Sequence, residues 1–412
     1  MDIMRGVAVL GIFFINVFVF AQPSTALAFP QLWGDAVFWN TATWSINEIF
    51  LDGTMRGLFS ILFGASALVF LSEVRLAEQG AAVIDRYYRR TILLLLFGVV
   101  HGFVLLNLHD VLYAYGLLGM FLFPLRNVDG RTLLICGAAF LTLASVHIST
   151  QGGGAGLHEA VPATLMSAEA RAGFNVGARE HMQDEIALYL MDYPTIFFYQ
   201  FDYVVSQESM VMYTTHLFDI GGMMLIGMAL FKLGVLNGSR SALFYLALAV
   251  AGYAVGGGAL RGYGVYQIYA ADFDPGVLQT ITNRTMYGMD RLAITLGHVG
   301  AIGLLCKASW AGVLTRPLAA LGRMALTSYI SHTVMSIFLF YGFGLGLFGT
   351  MQRLEIYLVA LIVCAAQIVL SVVWLNRYRL GPLEWVWRSL IYGKPLPMKR
   401  TLPGASALDA AS

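Results

Sequence analysis

Charged side chains are scarce in this sequence: Asp, Glu, Lys and Arg make up 12% of its 412 residues, where an ordinary soluble chain carries about one quarter. That scarcity excludes a water-facing surface over the whole molecule. Cysteine is scarcer still. Cys136, Cys306 and Cys364 each fall inside an apolar segment, with neither CxxC spacing nor a neighbouring histidine, so no metal is expected and the three read as packing residues. The glycine-rich QGGGAG at 151–156 lacks a following Gly-Lys-Ser/Thr, which excludes a phosphate-cradling loop and leaves a linker. A net charge of +1 leaves no basic surface for nucleic acid.

What is present is apolar surface. Hydrophobic residues make up 58% of the chain and the mean hydropathy is +0.71. A membrane-spanning helix needs about 17 to 20 mainly apolar residues, and ten runs reach that length. They lie near 4–22, 55–73, 91–107, 109–125, 131–148, 213–233, 241–260, 289–307, 323–346 and 355–376. The expected architecture is an all-α, polytopic bundle of about ten transmembrane helices. The first run lacks a small-residue cleavage site and reads as a signal anchor.

Basic residues near span ends are retained in the cytoplasm, and their alternation predicts the orientation. Arg75, Arg86, Arg89 and Arg90, then Arg126 and Arg131, Lys232 and Arg240, Lys307, Arg316 and Arg323, and finally Arg377 to Arg400 mark alternate loops and the tail. Both termini are therefore expected to be cytoplasmic, with acidic loops on the outer side. The expected organisation is one transmembrane domain over 1–394 and a disordered tail over 395–412. Two outer segments, 23–54 and 149–212, exceed the usual helix connection of about two to eight residues. The aromatic stretch from Phe197 to Tyr203 is too short to span, so interfacial or re-entrant helices are expected within 149–212. No internal repeat is evident, which disfavours an inverted-repeat transporter.

Ionisable groups inside hydrocarbon cost about 2.5 to 3.5 kcal/mol each on insertion scales, so they normally face a cavity or a partner. His101 lies roughly 15 Å beyond the inner edge of its span, in the outer half. Asn16 lies at a comparable depth; Asp52 and Arg56 stand at the outer mouth of the second span. His216 and Asp219, three residues apart, share one helix face. Asp290 and Arg291 are adjacent, so they point to different faces. His298, His332 and Gln367 lie nearer the midplane, where the two histidines read as helix–helix hydrogen-bonding residues rather than reactive ones. Gly98 and Gly102 frame His101 in a GxxxG pattern, the usual sign of a close helix contact.

Asp110 fits as the N-cap of the fourth span or as a partner for a base. Straight antiparallel helices meeting near Leu108 would put His101 level with Tyr115 and Asp110 about 8 Å nearer the surface. A direct His101–Asp110 bond is therefore not expected unless the helix ends unwind. Tyr115, or a group on another span, is the expected partner of His101.

The segments DIMRGVAVLGIFFIN, RGLFSILFGASA, RRTILLLLFGVVHGFVLLNLHDVLYAYGLLG, GGMMLIGMALFKLG, GRMALTSYISHTVMSIFLFYGFGLGLFG and RYRLGPLEWVWRSLIYG together resemble the YeiB-like family of bacterial membrane proteins. That family is distantly similar to transmembrane acyltransferases, including enzymes that acetylate a sugar amine from cytoplasmic acetyl-CoA. The resemblance implies a multi-pass protein of the bacterial inner membrane. It also shows a departure: those relatives carry a reactive histidine between the first two spans, whereas residues 23–54 here contain none. Position 332, His in this chain, is usually Gln in the family pattern.

Three functions follow as expectations. The first is acyl transfer from cytoplasmic acyl-CoA, a co-substrate rather than a tightly bound cofactor, to an envelope glycan, lipid or small molecule outside. His101 would be the general base, Asp110 or Tyr115 its partner, and Arg56 or Arg291 an oxyanion stabiliser beside Asp52. Asn16, His216, Asp219, Asp290, Arg291 and His332 would line the acceptor site. Arg86, Arg89 and Arg90 would meet CoA phosphates, although the positive-inside rule explains them without CoA and is the favoured account. The second function is a small-solute or proton-coupled transporter using His101, His216, Asp219 and Asp290 as a path. The third is a membrane scaffold or sensor whose long outer loop binds a partner. Beyond membrane lipids no partner is specified, and the sequence is silent on oligomeric state.

Overall fold

The computed structural model describes residues 1–33, 38–77, 80–150, 165–286 and 289–400. Its helices are α1 (Asp2–Ala21), α2 (Ser24–Ala28), α3 (Phe38–Ile46), α4 (Thr54–Ala77), α5 (Ala81–Val99), α6 (Leu112–Leu122), α7 (Gly130–Thr150), α8 (Ala168–Tyr189) and α9 (Tyr193–Ser206). They continue with α10 (Leu217–Lys232), α11 (Ala242–Gly252), α12 (Tyr263–Ala270), α13 (Pro275–Met286), α14 (Met289–Leu305), α15 (Gly312–Arg323), α16 (Ala325–Phe340), α17 (Arg353–Arg377) and α18 (Pro382–Tyr392). Four π-helical stretches, Asn47–Leu51, Val100–Val104, Gln207–His216 and Tyr253–Gly262, interrupt or extend them. The fold is all-α.

Among the described residues, seven helical runs are long and apolar enough to cross a membrane, and eight if α14 and the helix after it, bent by 95°, count as one. Ten straight spans were expected. The differences have local causes. The expected span 323–346 ends as a helix at Phe340, and the glycine-rich GFGLGLFG then folds back, with Leu345 N–H donating to Phe338 O and Phe348 N–H to Phe340 O. Gly346 and Gly349 take φ values of +66° and +72° there, the left-handed region open to glycine. Helix α6, with 11 residues, is only about 17 Å long, well short of a 30 Å hydrocarbon core.

Two other expected connections are built differently. Phe197–Tyr203 is not an isolated interfacial segment: π-helical turns over Gln207–His216 join α9 to α10 in one run, Tyr193–Lys232. The stretch expected to connect spans eight and nine contains α15, whose Gly322 lies against the backbone of Asp2 in α1. The linker at 151–156 and the tail at 401–412 lie outside the described residues. Residues 395–400, expected to be disordered, instead return along the end of α17: Arg379 N–H donates to Met398 O and Arg400 N–H to Arg377 O.

Packing follows membrane logic, in which small residues let backbones approach. A Cβ at Gly64 of α4 would stand 2.0 Å from Met224 O of α10, and one at Gly227 would stand 1.9 Å from Ile61 O. Leu96, Val100, Phe121, Ile135, Val250, Ile362 and Leu370 are exposed on the outside of the bundle. In water such a surface would drive aggregation; here it faces lipid. At α17 the side chain of Gln352 and that of Glu355 satisfy each other's backbone N–H groups in a capping box.

Candidate functional site

The chain leaves regular helix geometry where the polar groups begin. Residues Val100–Val104 form π-helical turns, Leu106 takes φ +55°, and no α-helix resumes until Leu112. This unwinding lowers Asp110 onto His101. His101 Nδ1 lies 2.6 Å from Asp110 Oδ1, and the two side chains are 0% and 3% exposed. The straight-helix expectation of an 8 Å separation is thus corrected, for the reason that defined its exception. Asp110 Oδ2 also accepts Tyr113 N–H at 2.8 Å, so the same carboxylate caps α6. Gly98 makes room for it, because a Cβ there would stand 2.1 Å from Tyr113 N and 2.8 Å from Asp110 Oδ2.

The partner of His101 on another span is Thr333 of α16, whose Oγ1 lies 2.8 Å from His101 Nε2. Proton directions can be read along this chain. His109 N–H donates to Asn107 Oδ1 at 3.0 Å, which orients the amide so that Asn107 Nδ2–H donates to Thr333 Oγ1 at 2.9 Å. Asn107 Nδ2 also points at His101 Nε2, 3.4 Å away. With the threonine oxygen accepting from asparagine, its own proton is free to be given to Nε2. His101 then carries its proton on Nδ1, toward the carboxylate. An unprotonated Nε2 facing a hydroxyl, with Nδ1–H held by a carboxylate, is the bonding pattern of a hydroxyl–His–Asp triad.

Tyr115, expected beside His101, bonds elsewhere: its hydroxyl lies 2.7 Å from Ser60 Oγ and donates to Arg56 O at 3.3 Å. The ring packed on His101 belongs to Tyr329, with centroids 4.9 Å apart.

A second polar cluster joins α4, α10 and α14. Asp219 is buried and receives two arginines, Arg56 at 3.3 Å and Arg291 on its other oxygen. Its oxygens are therefore directed to the arginines rather than to His216, which is half-buried at the end of the π-helical stretch. Asp290 and Arg291 point apart, as their adjacency requires. Asp290 pairs with the buried Arg261 at 2.6 Å, and Arg261 also donates to the carbonyls of Glu48 at 2.8 Å and Asp52 at 2.7 Å. The side chains of Asp52 and Asn16 are half-buried. His298 uses both ring nitrogens, with Tyr253 Oη at 2.8 Å and Phe50 O at 2.9 Å, a helix-joining role.

His332 stacks on Phe13 of α1 with ring centroids 4.1 Å apart and planes 8° from parallel. The three arginines expected to meet CoA phosphates, all on α5, do not form one patch. Arg86 donates to Ile391 O, Arg89 pairs with Asp85, and Arg90 is buried among Phe63, Phe70 and Trp387. Arg86 and Arg90 thereby fasten α18 to α5. A cavity of about 300 Å³ lined by Met1, Tyr245, Cys306 and Lys307 shares no residue with either cluster.

Reasoning from ionisable groups missed Thr333, Asn107 and Arg261. The first two are neutral polar residues within or beside apolar runs, and a buried histidine with two ring nitrogens to satisfy is the signal that would have found them. Arg261 lies one residue past the expected span 241–260, and Asp290 is the opposite charge its burial requires.

Apolar helices with lipid-facing side chains outside and satisfied ion pairs within define a polytopic membrane protein. Residues 230–394 match the family model described as protein of unknown function, DUF418. The chain is 27% identical to the uncharacterized protein YxaH of Bacillus subtilis, covering 95% of this chain and 93% of that protein. It is 29% identical to the uncharacterized protein YeiB of Escherichia coli, covering 95% of each. These likenesses are to the YeiB-like proteins and, over residues 230–394, to DUF418. No solved structure matches it. The family match takes in Thr333 and His332, while His101 and Asp110 fall within the longer similarity to YxaH and YeiB.

Proposed function

We propose that the protein is a membrane-embedded acyltransferase that moves an acyl group from acyl-CoA to an envelope or secreted acceptor. The observation that carries the reading is the directed chain from Asp110 through His101 to a hydroxyl. Acyl transfer needs a base that removes a proton from an attacking hydroxyl or amine and returns it to the leaving group. His101 has the tautomer for this, and Asp110 holds the ring and stabilises its protonated form. Arg56 and Arg291, in the second polar cluster, are assigned to supply positive charge for the developing oxyanion. Their shared partner Asp219 fixes both guanidinium groups before substrate arrives.

In this reading both termini and the acyl-CoA are cytoplasmic and the acceptor is reached from the outer face of the inner membrane, an orientation supported by the alternation of basic loops. Because Arg86, Arg89 and Arg90 are each engaged in a different contact, they bind the donor's phosphates only if those contacts exchange.

Purified full-length protein in proteoliposomes, supplied with acetyl-CoA and an envelope extract, should release free CoA thiol. His101→Gln should slow that release by about 10² to 10⁴, the usual worth of a general base. Wild-type protein that neither binds nor consumes acyl-CoA, or a folded His101→Gln variant of full activity, would remove the proposal. Solute movement driven by a proton gradient without CoA would establish instead the transporter reading, which the buried Asp219–arginine cluster favours.

A further inference from the structure

We infer that Thr333 is the nucleophile of this reaction and carries the acyl group as an ester between donor and acceptor. The inference rests on the acyltransferase reading and adds a covalent intermediate to it. A base alone does not require a protein hydroxyl on its reactive nitrogen. Here Nε2 of His101 is occupied by the Thr333 hydroxyl at 2.8 Å, inside the 2.6 to 3.2 Å reach of a nucleophile–base pair. Both residues are buried, so neither is merely solvated.

Asn107 strengthens the assignment. Its Nδ2 donates to Thr333 Oγ1, and its own Oδ1 is held by the backbone of His109. A donor on that oxygen leaves the threonine proton free for His101 and will stabilise the alkoxide character that develops as the proton leaves.

A second observation lies one turn along α16. The Ser336 hydroxyl is 1% exposed and has no hydrogen-bond partner. A buried hydroxyl without a partner calls for a group the isolated chain does not supply. At i+3, its Cβ lies about 5 to 6 Å from that of Thr333 on the same face of the helix. That is the span between an ester oxygen and a donor to the carbonyl oxygen of the same ester. Ser336 is therefore assigned as the oxyanion donor, with Thr333 as nucleophile and Asp110 as the positioning residue acting through His101.

The steps balance. The Thr333 Oγ1 proton moves to His101 Nε2 as the oxygen attacks the carbonyl carbon of the acyl thioester. The C–S bond breaks, and the CoA sulfur leaves with the proton from Nε2. An acceptor hydroxyl then gives its proton to Nε2 while its oxygen attacks the threonine ester. The C–Oγ1 bond breaks, Thr333 recovers the proton, and the acyl group leaves on the acceptor.

The test is trapping. Full-length protein in detergent is incubated with radiolabelled acetyl-CoA without acceptor, quenched in acid and digested. The result expected is label on the peptide containing Thr333, stable to neutral hydroxylamine but released by alkaline hydroxylamine, as an oxygen ester requires. Label should be retained in Thr333→Ser, absent in Thr333→Val, and formed at least 100-fold more slowly in His101→Gln. Ser336→Ala should slow its formation without abolishing it. Monodisperse elution and the wild-type circular dichroism spectrum serve as folding controls for each variant.

If wild-type protein turns over acetyl-CoA, carries no label, and Thr333→Val turns over equally fast, the covalent step is overturned and the base role of His101 survives. If wild-type protein neither turns over nor takes label, both proposals fall together.

Discussion

Gly98→Ala tests whether the His101–Asp110 contact is built by close packing of two helices. The new Cβ would stand 2.1 Å from Tyr113 N and 2.8 Å from Asp110 Oδ2. Ordinary contact begins near 3.4 Å, so the start of α6 must retreat by about 1.3 Å or α5 must bend. Asp110 is tied to that start through Tyr113 N–H and will move with it, stretching a 2.6 Å bond to or past hydrogen-bonding range. Overpacking costs about 1 to 3 kcal/mol, and loss of a charge-assisted hydrogen bond adds about 1.5 to 3 kcal/mol. Denaturation in micelles should thus show a loss on the order of 3 kcal/mol. Nitrogen-15 spectra of histidine-labelled protein should show His101 losing its Nδ1–H tautomer preference. A Gly98→Ala protein with wild-type stability and unchanged His101 resonances would refute this account of how the dyad is held.

Asp110→Asn keeps the shape but offers an N–H to Nδ1, so the ring proton moves to Nε2; the same nitrogen-15 spectra should report the opposite tautomer, and acetyl-CoA turnover should fall by about 10² to 10⁴ with an altered pH profile. Glu384→Ala removes the carboxylate that accepts Leu326 N–H at 2.7 Å, Thr327 N–H at 3.0 Å and Thr327 Oγ1–H at 2.5 Å at the start of α16. Each orphaned buried donor costs about 1 to 3 kcal/mol, a loss visible in thermal melts and partly restored by Gln. Burial pushes the Glu185 carboxyl up from its ordinary value, against hydrogen bonds from Ser24 that lower it. The folded state therefore binds the proton more tightly, and this contribution is full below the unfolded carboxyl value near 4.5 and lost as pH rises through the shifted one. Wild-type stability should decline across that window by at most about 1.4 kcal/mol per pH unit. Glu185→Gln should flatten the decline, and an unchanged slope would count against the assignment.

The class of fold was legible because lipid imposes one strong rule, that a spanning helix be apolar over its whole length. Nine of the ten predicted runs sit on helices within a few residues at one end or both, but their lengths were not legible. Hydropathy cannot see that GFGLGLFG turns back on itself, since glycine and leucine are equally at home in a span and in a tight apolar loop. The polar residues were legible one by one as costly groups, while their pairings were not. His216 and Asp219 share a face, yet Asp219 turns to Arg56 and Arg291, because a half-buried and a buried guanidinium group have a stronger claim on a carboxylate than an imidazole does.

The main failure of prediction has one physical source. Depth was calculated for straight helices of 3.6 residues per turn, and each of the four π-helical stretches adds a residue to a turn and rotates everything beyond it. These stretches carry the polar groups: Glu48 lies in Asn47–Leu51, His101 in Val100–Val104, Glu208 and His216 in Gln207–His216, and Arg261 in Tyr253–Gly262. A wide turn leaves carbonyls and N–H groups poorly paired, and polar side chains placed there can satisfy them or use them, as Arg261 does with the carbonyls of Glu48 and Asp52. It also frees the chain to change direction, which is how Asp110 reaches His101. Two residues in these period-breaking stretches, His101 and Arg261, are therefore among those that assemble the polar clusters. In an apolar run, a histidine or arginine that falls off the expected face marks a candidate π turn, and counting one extra residue there places its partner.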